Sequence, residues 1–293
     1  MSDWDFIAEA IRNATGRSFA ISRPPRALGG GCINQTALLE ADECRYFVKR
    51  NRPALLEMFR AEAAGLEEIA ASGTLRVPRP ICHGVTDNHS FLVLEYLELS
   101  GSGDPAGAGR QLAALHRTTR ARFGWDRDNH IGSSPQPNLP ADSWIDFWRN
   151  QRLGFQLQLA ARNGHTGRLQ ERGALLLERF PALLDHRPVP SLLHGDLWGG
   201  NIAYDRTGQA VVFDPAIYYG DRETDLAMTE LFGGFGRRFY AAYEESWPLE
   251  PGYETRKTLY NLYHILNHLN LFGGGYGGQA LGMIDRLLAA LNG

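Results

Sequence analysis

The hydrophobic positions of this 293-residue chain divide it into a strand-rich beginning and a mainly helical remainder. Trp4, Ile7, Ala8 and Ile11 recur at helical spacing over residues 4–14, and residues 19–28 follow as an irregular extended segment broken by Pro24 and Pro25. Residues 35–40 and 45–49 read as strands. A helix is predicted over 54–71, where Leu55, Met58, Phe59, Leu66 and Ile69 form one apolar stripe. Segments 81–85 and 91–97 are again strand-like, and the Gly- and Ser-rich stretch 100–109 reads as a linker. Beyond it, apolar periodicity predicts helices over 109–120, 142–162, 169–184, 223–232, 236–246, 254–272 and 279–291. The pattern gives an α+β fold. Residues 1–97 carry an antiparallel sheet with one main helix, residues 98–293 are larger and mainly helical, and the boundary falls near 95–97.

One stretch of the second half departs from helical periodicity. The apolar runs 202–204 and 210–213 flank Asp205-Arg206-Thr207-Gly208-Gln209, a turn composition, so they predict a β-hairpin. Asn201 enters its first strand and Asp214 leaves its second. The hairpin is expected to set an amide oxygen beside a carboxylate, a donor pair suited to a hard cation such as Mg²⁺. Asp196 precedes Asn201 by five residues, the Asp-x-x-x-x-Asn spacing of kinase catalytic loops, in which the Asp receives the proton of the attacking hydroxyl. His194-Gly195-Asp196 lacks the central Arg of protein kinases, and Asp214-Pro215 stands where they have Asp-Phe-Gly. Both departures point to kinases of small molecules. The plainer alternative is that these residues cap turns around a buried hairpin.

Two further groups fit nucleotide chemistry. Lys49 ends the strand 45–49, and Glu62 lies on the apolar stripe of the following helix, where a carboxylate needs a cation. A strand lysine paired with a helix glutamate is how kinases orient the phosphates of ATP. Gly29, Gly30, Gly31 and Cys32 form a glycine run between strands that can fold over phosphates, or serve as a flexible turn. Backbone N–H groups there would also favour a Cys32 thiolate, which opens a redox alternative. Glu95, Tyr96 and Leu97 leave the last strand at the boundary and are the expected hinge offering backbone groups to adenine.

Composition narrows the classes. Net charge is −3 with no basic run, so nucleic-acid binding has no electrostatic footprint. No stretch reaches spanning length, and the N-terminal sequence is not leader-like, so no membrane association is expected. Cys32, Cys44 and Cys82 are the only cysteines, which favours a reducing cytoplasm. Lys49 and Lys257 are the only lysines, so a lysine inside a buried strand invites a reason. His264 and His268 lie one helical turn apart but lack the glutamate of a zinc-binding H-E-x-x-H.

Several segments together resemble the fructosamine kinase (ketosamine 3-kinase) family. They are Phe47-Val48-Lys49, Gln111-Leu-Ala-Ala-Leu-His116, Arg152-Leu-Gly-Phe-Gln156, His194-Gly-Asp-Leu-Trp-Gly-Gly-Asn201, and Asp214-Pro-Ala216 with the run from Tyr219 to Phe232. The resemblance implies a two-lobed protein-kinase-like fold, ATP with Mg²⁺, and phosphorylation of the O3 hydroxyl of a ketosamine, free or on a glycated lysine of a protein. Asp196 would be the catalytic base, Asn201 and Asp214 the metal ligands, and Lys49 with Glu62 the triphosphate anchor. Trp198 either packs against the sugar or supports its loop. Asp221, Glu223 and Asp225 would attract a cationic amine, or serve as a helix cap and a contact to the catalytic loop. A monomer or weak dimer is expected. The rivals are an aminoglycoside- or choline-type kinase and a nucleotide-binding pseudokinase without turnover.

Overall fold

The computed structural model describes residues 2–29, 33–41 and 44–292. In chain order, α1 (Asp3–Thr15) precedes β1 (Arg26–Leu28), β2 (Gln35–Glu40), β3 (Arg45–Asn51), α2 (Leu56–Ala71), β4 (Pro80–Val85) and β5 (Ser90–Glu95). There follow α3 (Pro105–His116), β6 (Asn129–Ile131), β7 (Ser134–Gln136), α4 (Trp144–Phe147), a π-helical stretch Trp148–Leu153, α5 (Gly154–Arg162), α6 (Arg168–Arg179) and β8 (Ser191–Leu193). The chain ends with β9 (Ile202–Tyr204), β10 (Ala210–Val212), β11 (Tyr218–Gly220), α7 (Glu223–Leu231), α8 (Arg237–Ser246), α9 (Tyr253–Phe272) and α10 (Tyr276–Ala290).

Two compact units result, one of residues 1–103 with 203–215, the other of 104–202 with 216–293. The first is a five-stranded sheet in the order β1-β2-β3-β5-β4, antiparallel throughout. Alternation in β3 sorts its side chains to two faces. Tyr46 and Val48 join Leu39, Phe91 and Val93 in a core closed by Ile7, Ala8 and Ile11 of α1. Lys49 therefore belongs to the opposite face, the side of Glu62 on α2. Residues 203–215 are fastened to this unit by backbone bonds between Ser100 and Tyr204 (2.7 and 2.9 Å) and from the Val212 N–H to the Arg76 carbonyl (3.0 Å). These pairings are why the hairpin, grouped by sequence position with 98–293, packs with the first unit.

In the second unit, β8 pairs antiparallel with β11, and β6 with β7. Around them α3 packs on α8, and α9 on α7, α10 and α5. Apolar residues on nearly every side of α9 make it the unit's buried axis. Two expectations need correction. Half of the predicted linker 100–109 is helical, because Asp104 caps α3 by accepting the Ala106 N–H (3.1 Å) and Pro105 occupies the first turn. The predicted continuous helix 142–162 widens to π geometry at Trp148–Leu153. There the fully buried Arg152 donates to the Pro137 carbonyl and Asn138 Oδ1, both at 2.6 Å, and lies 3.9 Å over the Tyr218 ring. No helix of the described residues is long and apolar enough to cross a membrane.

Candidate active site

The first unit holds a charged triad. Lys49 Nζ lies 2.5 Å from Glu62 Oε1 and 2.5 Å from Asp214 Oδ1. Burial alone would lower the Lys49 pKa, but the Asp214 and Glu62 carboxylates outweigh it and hold the ammonium charged well above its ordinary range. Burial pushes Glu62 up, against the pull of Lys49. Asp214 differs from Glu62 in exposure: its side chain is 46% exposed, against 11%. It also has φ 57°, the one positive φ outside glycine among the described residues. That strained backbone turns an accessible carboxylate out just after the hairpin.

The predicted hairpin forms, with β9 and β10 as a two-stranded sheet closed by the Asp205 N–H to the Gln209 carbonyl (2.9 Å). Before it, in the second unit, Asn201 Nδ2 donates to the Asp196 carbonyl (2.8 Å) and to Asp196 Oδ2 (3.2 Å). With its amide nitrogen so engaged, Asn201 has Oδ1 to offer a cation. The Asn201 amide oxygen, and in the first unit the half-exposed Asp214 carboxylate, are each hard donors of the kind Mg²⁺ takes. The Asp196 N–H in turn donates to His194 Nδ1 (3.3 Å).

What holds this loop is Asp225. Its Oδ2 accepts the His194 N–H at 2.7 Å, and its Oδ1 the Gly195 N–H at 2.8 Å. Gly195 has φ 81°, and a Cβ there would stand 2.0 Å from the Ala216 carbonyl oxygen, so only glycine fits the turn. Behind Asp225 lies a buried relay. Arg222 donates to the Tyr243 hydroxyl (3.1 Å), which is 2.8 Å from His116 Nδ1, and His116 Nε2 is 3.2 Å from Asp225 Oδ2. Burial lowers the His116 pKa, so the ring is neutral, accepting from Tyr243 and donating to Asp225. For Asp225, burial is outweighed by the His116 bond and the Gly195 N–H, and its pKa falls. Asp225→Asn is expected to cost about 3 kcal/mol of stability and to lower turnover without raising the KM for nucleotide, since it swaps an acceptor for a donor opposite two buried N–H groups. Chemical denaturation and steady-state kinetics check it.

The expected amine attraction of Asp221, Glu223 and Asp225 does not fit their placement. All three are at most 2% exposed, and protein donors occupy them. Asp221 takes the Tyr260 hydroxyl (2.5 Å), His186 Nε2 (2.7 Å) and the Glu223 N–H (3.1 Å), while Arg256 grips Glu223 through two bonds of 2.7 and 2.8 Å. A desolvated carboxylate needs such partners from its own fold. Trp198 is 39% exposed and meets the Phe232 ring edge-on at 6.0 Å. In the hinge stretch, the Glu95 N–H donates to the Arg79 carbonyl (2.8 Å), its carboxylate takes Arg76 (2.6 Å), and Tyr96 lies under Arg45 (4.8 Å). Gly29 is exposed, and Gly30, Gly31 and Cys32 lie outside the described residues. Sequence reasoning missed the relay's Tyr243 and Arg222; His116 stood in a matched segment without a role.

An antiparallel sheet unit carrying a lysine–carboxylate triad, with a helical unit carrying an Asp–Asn loop, defines a phosphotransferase of kinase-like fold. The likeness to solved aminoglycoside phosphotransferase APH(4)-Ia agrees at the level of fold alone, with 14% identity, a TM-score of 0.62, and 97% and 98% of the two chains covered. The chain belongs to the fructosamine kinase family, whose model matches residues 3–290. A Synechocystis protein named "Probable ketoamine kinase" is 51% identical over 97% of both chains. The chloroplastic protein-ribulosamine 3-kinase of Arabidopsis thaliana is 43% identical over 90% of this chain and 82% of its own. A solved Haemophilus somnus structure assigned as a fructosamine-3-kinase has 32% identity and a TM-score of 0.90, covering 97% of each chain.

Proposed function

We propose that this chain is an ATP-dependent kinase that transfers the γ-phosphoryl group to the O3 hydroxyl of ketosamines, the first step in removing a glycation adduct. The observation that carries the reading is the Asp196 loop. Its carboxylate is oriented by Asn201 and its backbone is pinned by Asp225, an investment a purely nucleotide-binding protein has no use for. Family membership supports the ketosamine acceptor over choline or an aminoglycoside, and relatives named for ketoamines and protein ribulosamines support it further.

In this reading the O3–H proton passes to the Asp196 carboxylate as the O3 oxygen bonds phosphorus and the bond to ADP breaks. Phosphoryl transfer asks little covalent chemistry of the protein, so placement and charge neutralisation dominate. Lys49, held by Glu62, supplies a fixed positive charge for the phosphates, and Asn201 and Asp214 would hold Mg²⁺. That ion supplies neutralisation of phosphate charge when bound. Cys44 and Cys82 are free thiols, which supports action in a reducing cytoplasm.

The test is a panel of ribulosyl-, erythrulosyl- and fructosyl-lysine with choline and kanamycin under MgATP, read by mass spectrometry. One added phosphoryl group on a ketosamine, and none on the others, is the expected outcome. Nucleotide binding without transfer to any acceptor would replace this reading with the pseudokinase.

A further inference from the structure

A row of rings opens to solvent on the same unit as Asp196. It starts at Trp198, two residues after Asp196, and runs to Phe232 (6.0 Å between centroids), His268 (5.1 Å), then Phe272 (5.6 Å) and Tyr276 (5.2 Å). Trp198, Phe232 and Phe272 are 39%, 38% and 55% exposed. Large aromatic rings left open in continuous contact mark a binding surface far better than scattered single residues do.

Within the row His268 has a fixed hydrogen arrangement. Its Nδ1 lies 2.8 Å from the His264 carbonyl oxygen. A carbonyl only accepts, so Nδ1 carries the hydrogen, and this bond fixes the ring's orientation on α9. The fully packed His264 beneath, lowered to about 3 by burial and by its neighbour His268, stays uncharged. The row thus offers continuous π faces, the feature that attracts a protonated alkylamine and its carbon stem.

Past His268 the chain reads Gly273-Gly-Gly-Tyr-Gly-Gly278. Gly273 and Gly274 have positive φ, which explains them. Gly275 has φ −65°, Gly278 has no positive φ, and a Cβ on either would meet nothing within 4 Å. Neither backbone nor packing calls for glycine there, and Gly278 sits in the first turn of α10, where alanine would favour the helix. The effect is an edge bare of side chains beside the end of the row.

We infer that the row Trp198–Phe232–His268–Tyr276 receives the amine substituent of the acceptor, making His268 and Phe232 specificity-determining residues. The inference rests on the ketosamine reading above. With O3 at Asp196, the C1 amine is only a few bonds away, so its substituent leaves from the point where the row begins. A lysine stem then lies along the rings, and the polypeptide that bears it passes over the bare glycine edge.

The experiment compares ketosamines of one sugar built on methylamine, on propylamine and on a lysine within a short peptide. In the wild type kcat/KM is expected to rise at least about tenfold from the shortest stem to the longest, the scale of a few buried methylenes. In His268→Ala and Phe232→Leu that ratio collapses to within about threefold while the KM for ATP holds, a selectivity change that loss of folding would not produce. Wild-type transfer to all three acceptors with no dependence on stem would overturn the inference and leave the ketosamine reading intact. No transfer to any ketosamine would overturn both. Stem dependence that survives intact in both His268→Ala and Phe232→Leu would assign it to another surface and also overturn the inference.

Discussion

Asp196→Asn is expected to lower kcat by at least about 10²-fold, the scale of a positioned acid or base, with nucleotide affinity retained. The substitution keeps the side-chain volume and removes the oxygen's ability to take a proton. The loop has other supports, since Asn201 Nδ2 also bonds the Asp196 backbone carbonyl at 2.8 Å and Asp225 holds the two preceding N–H groups. The Lys49 triad contains none of these atoms. A lost proton acceptor should therefore appear in turnover, and calorimetric titration with nucleotide should be unmoved. Near-normal kcat in this variant would remove Asp196 from the base role, and the assignment of the whole loop with it.

How much of this was legible in sequence follows from the range of each interaction. Lys49 and Glu62 are 13 residues apart, and two local periodicities suffice to oppose them: β alternation puts Lys49 on one face, and the helical stripe puts Glu62 on the side facing it. Asp214 joins them from 165 residues away, and only its position at the end of a hairpin gave it a role as a ligand. The Asp225 relay is less visible still. His116 and Asp225 are separated by 109 residues, and neither carries a pattern that names its partner. An acidic cluster on a helix start looks the same in sequence whether it faces water or a buried Arg256, so amine attraction stayed open beside the cap and loop contact that Asp221 and Asp225 make. The start of α3 differs, because Asp104-Pro105 is a helix-start signature that the surrounding Gly and Ser obscured. The π stretch changes register by less than one residue of periodicity, below what a stripe of apolar positions resolves.

Lys49→Met is expected to destabilise the protein by about 3 kcal/mol and to abolish measurable transfer, because it leaves a buried carboxylate without its cation. The size of the loss should depend on pH in a definite direction. Burial already pushes Glu62 above its ordinary range, and without Lys49 nothing opposes that push. A group whose folded pKa exceeds its unfolded one is stabilising below the unfolded value, and that contribution fades as pH rises through the folded value. The deficit of the variant against wild type should therefore be small at acidic pH, where Glu62 is neutral in both states, and widen towards neutrality. Denaturant titrations over that range read it directly. Lys49→Met with Glu62→Leu separates the two roles of the pair. Replacing both charges with apolar groups should return most of the stability, since a buried ion pair is worth little against good packing, yet transfer should stay absent because the fixed charge for the phosphates is gone. Recovery of activity in the double variant would reduce the pair to scaffolding. Recovery of stability alone would show that Glu62 serves to keep Lys49 where the reaction needs it.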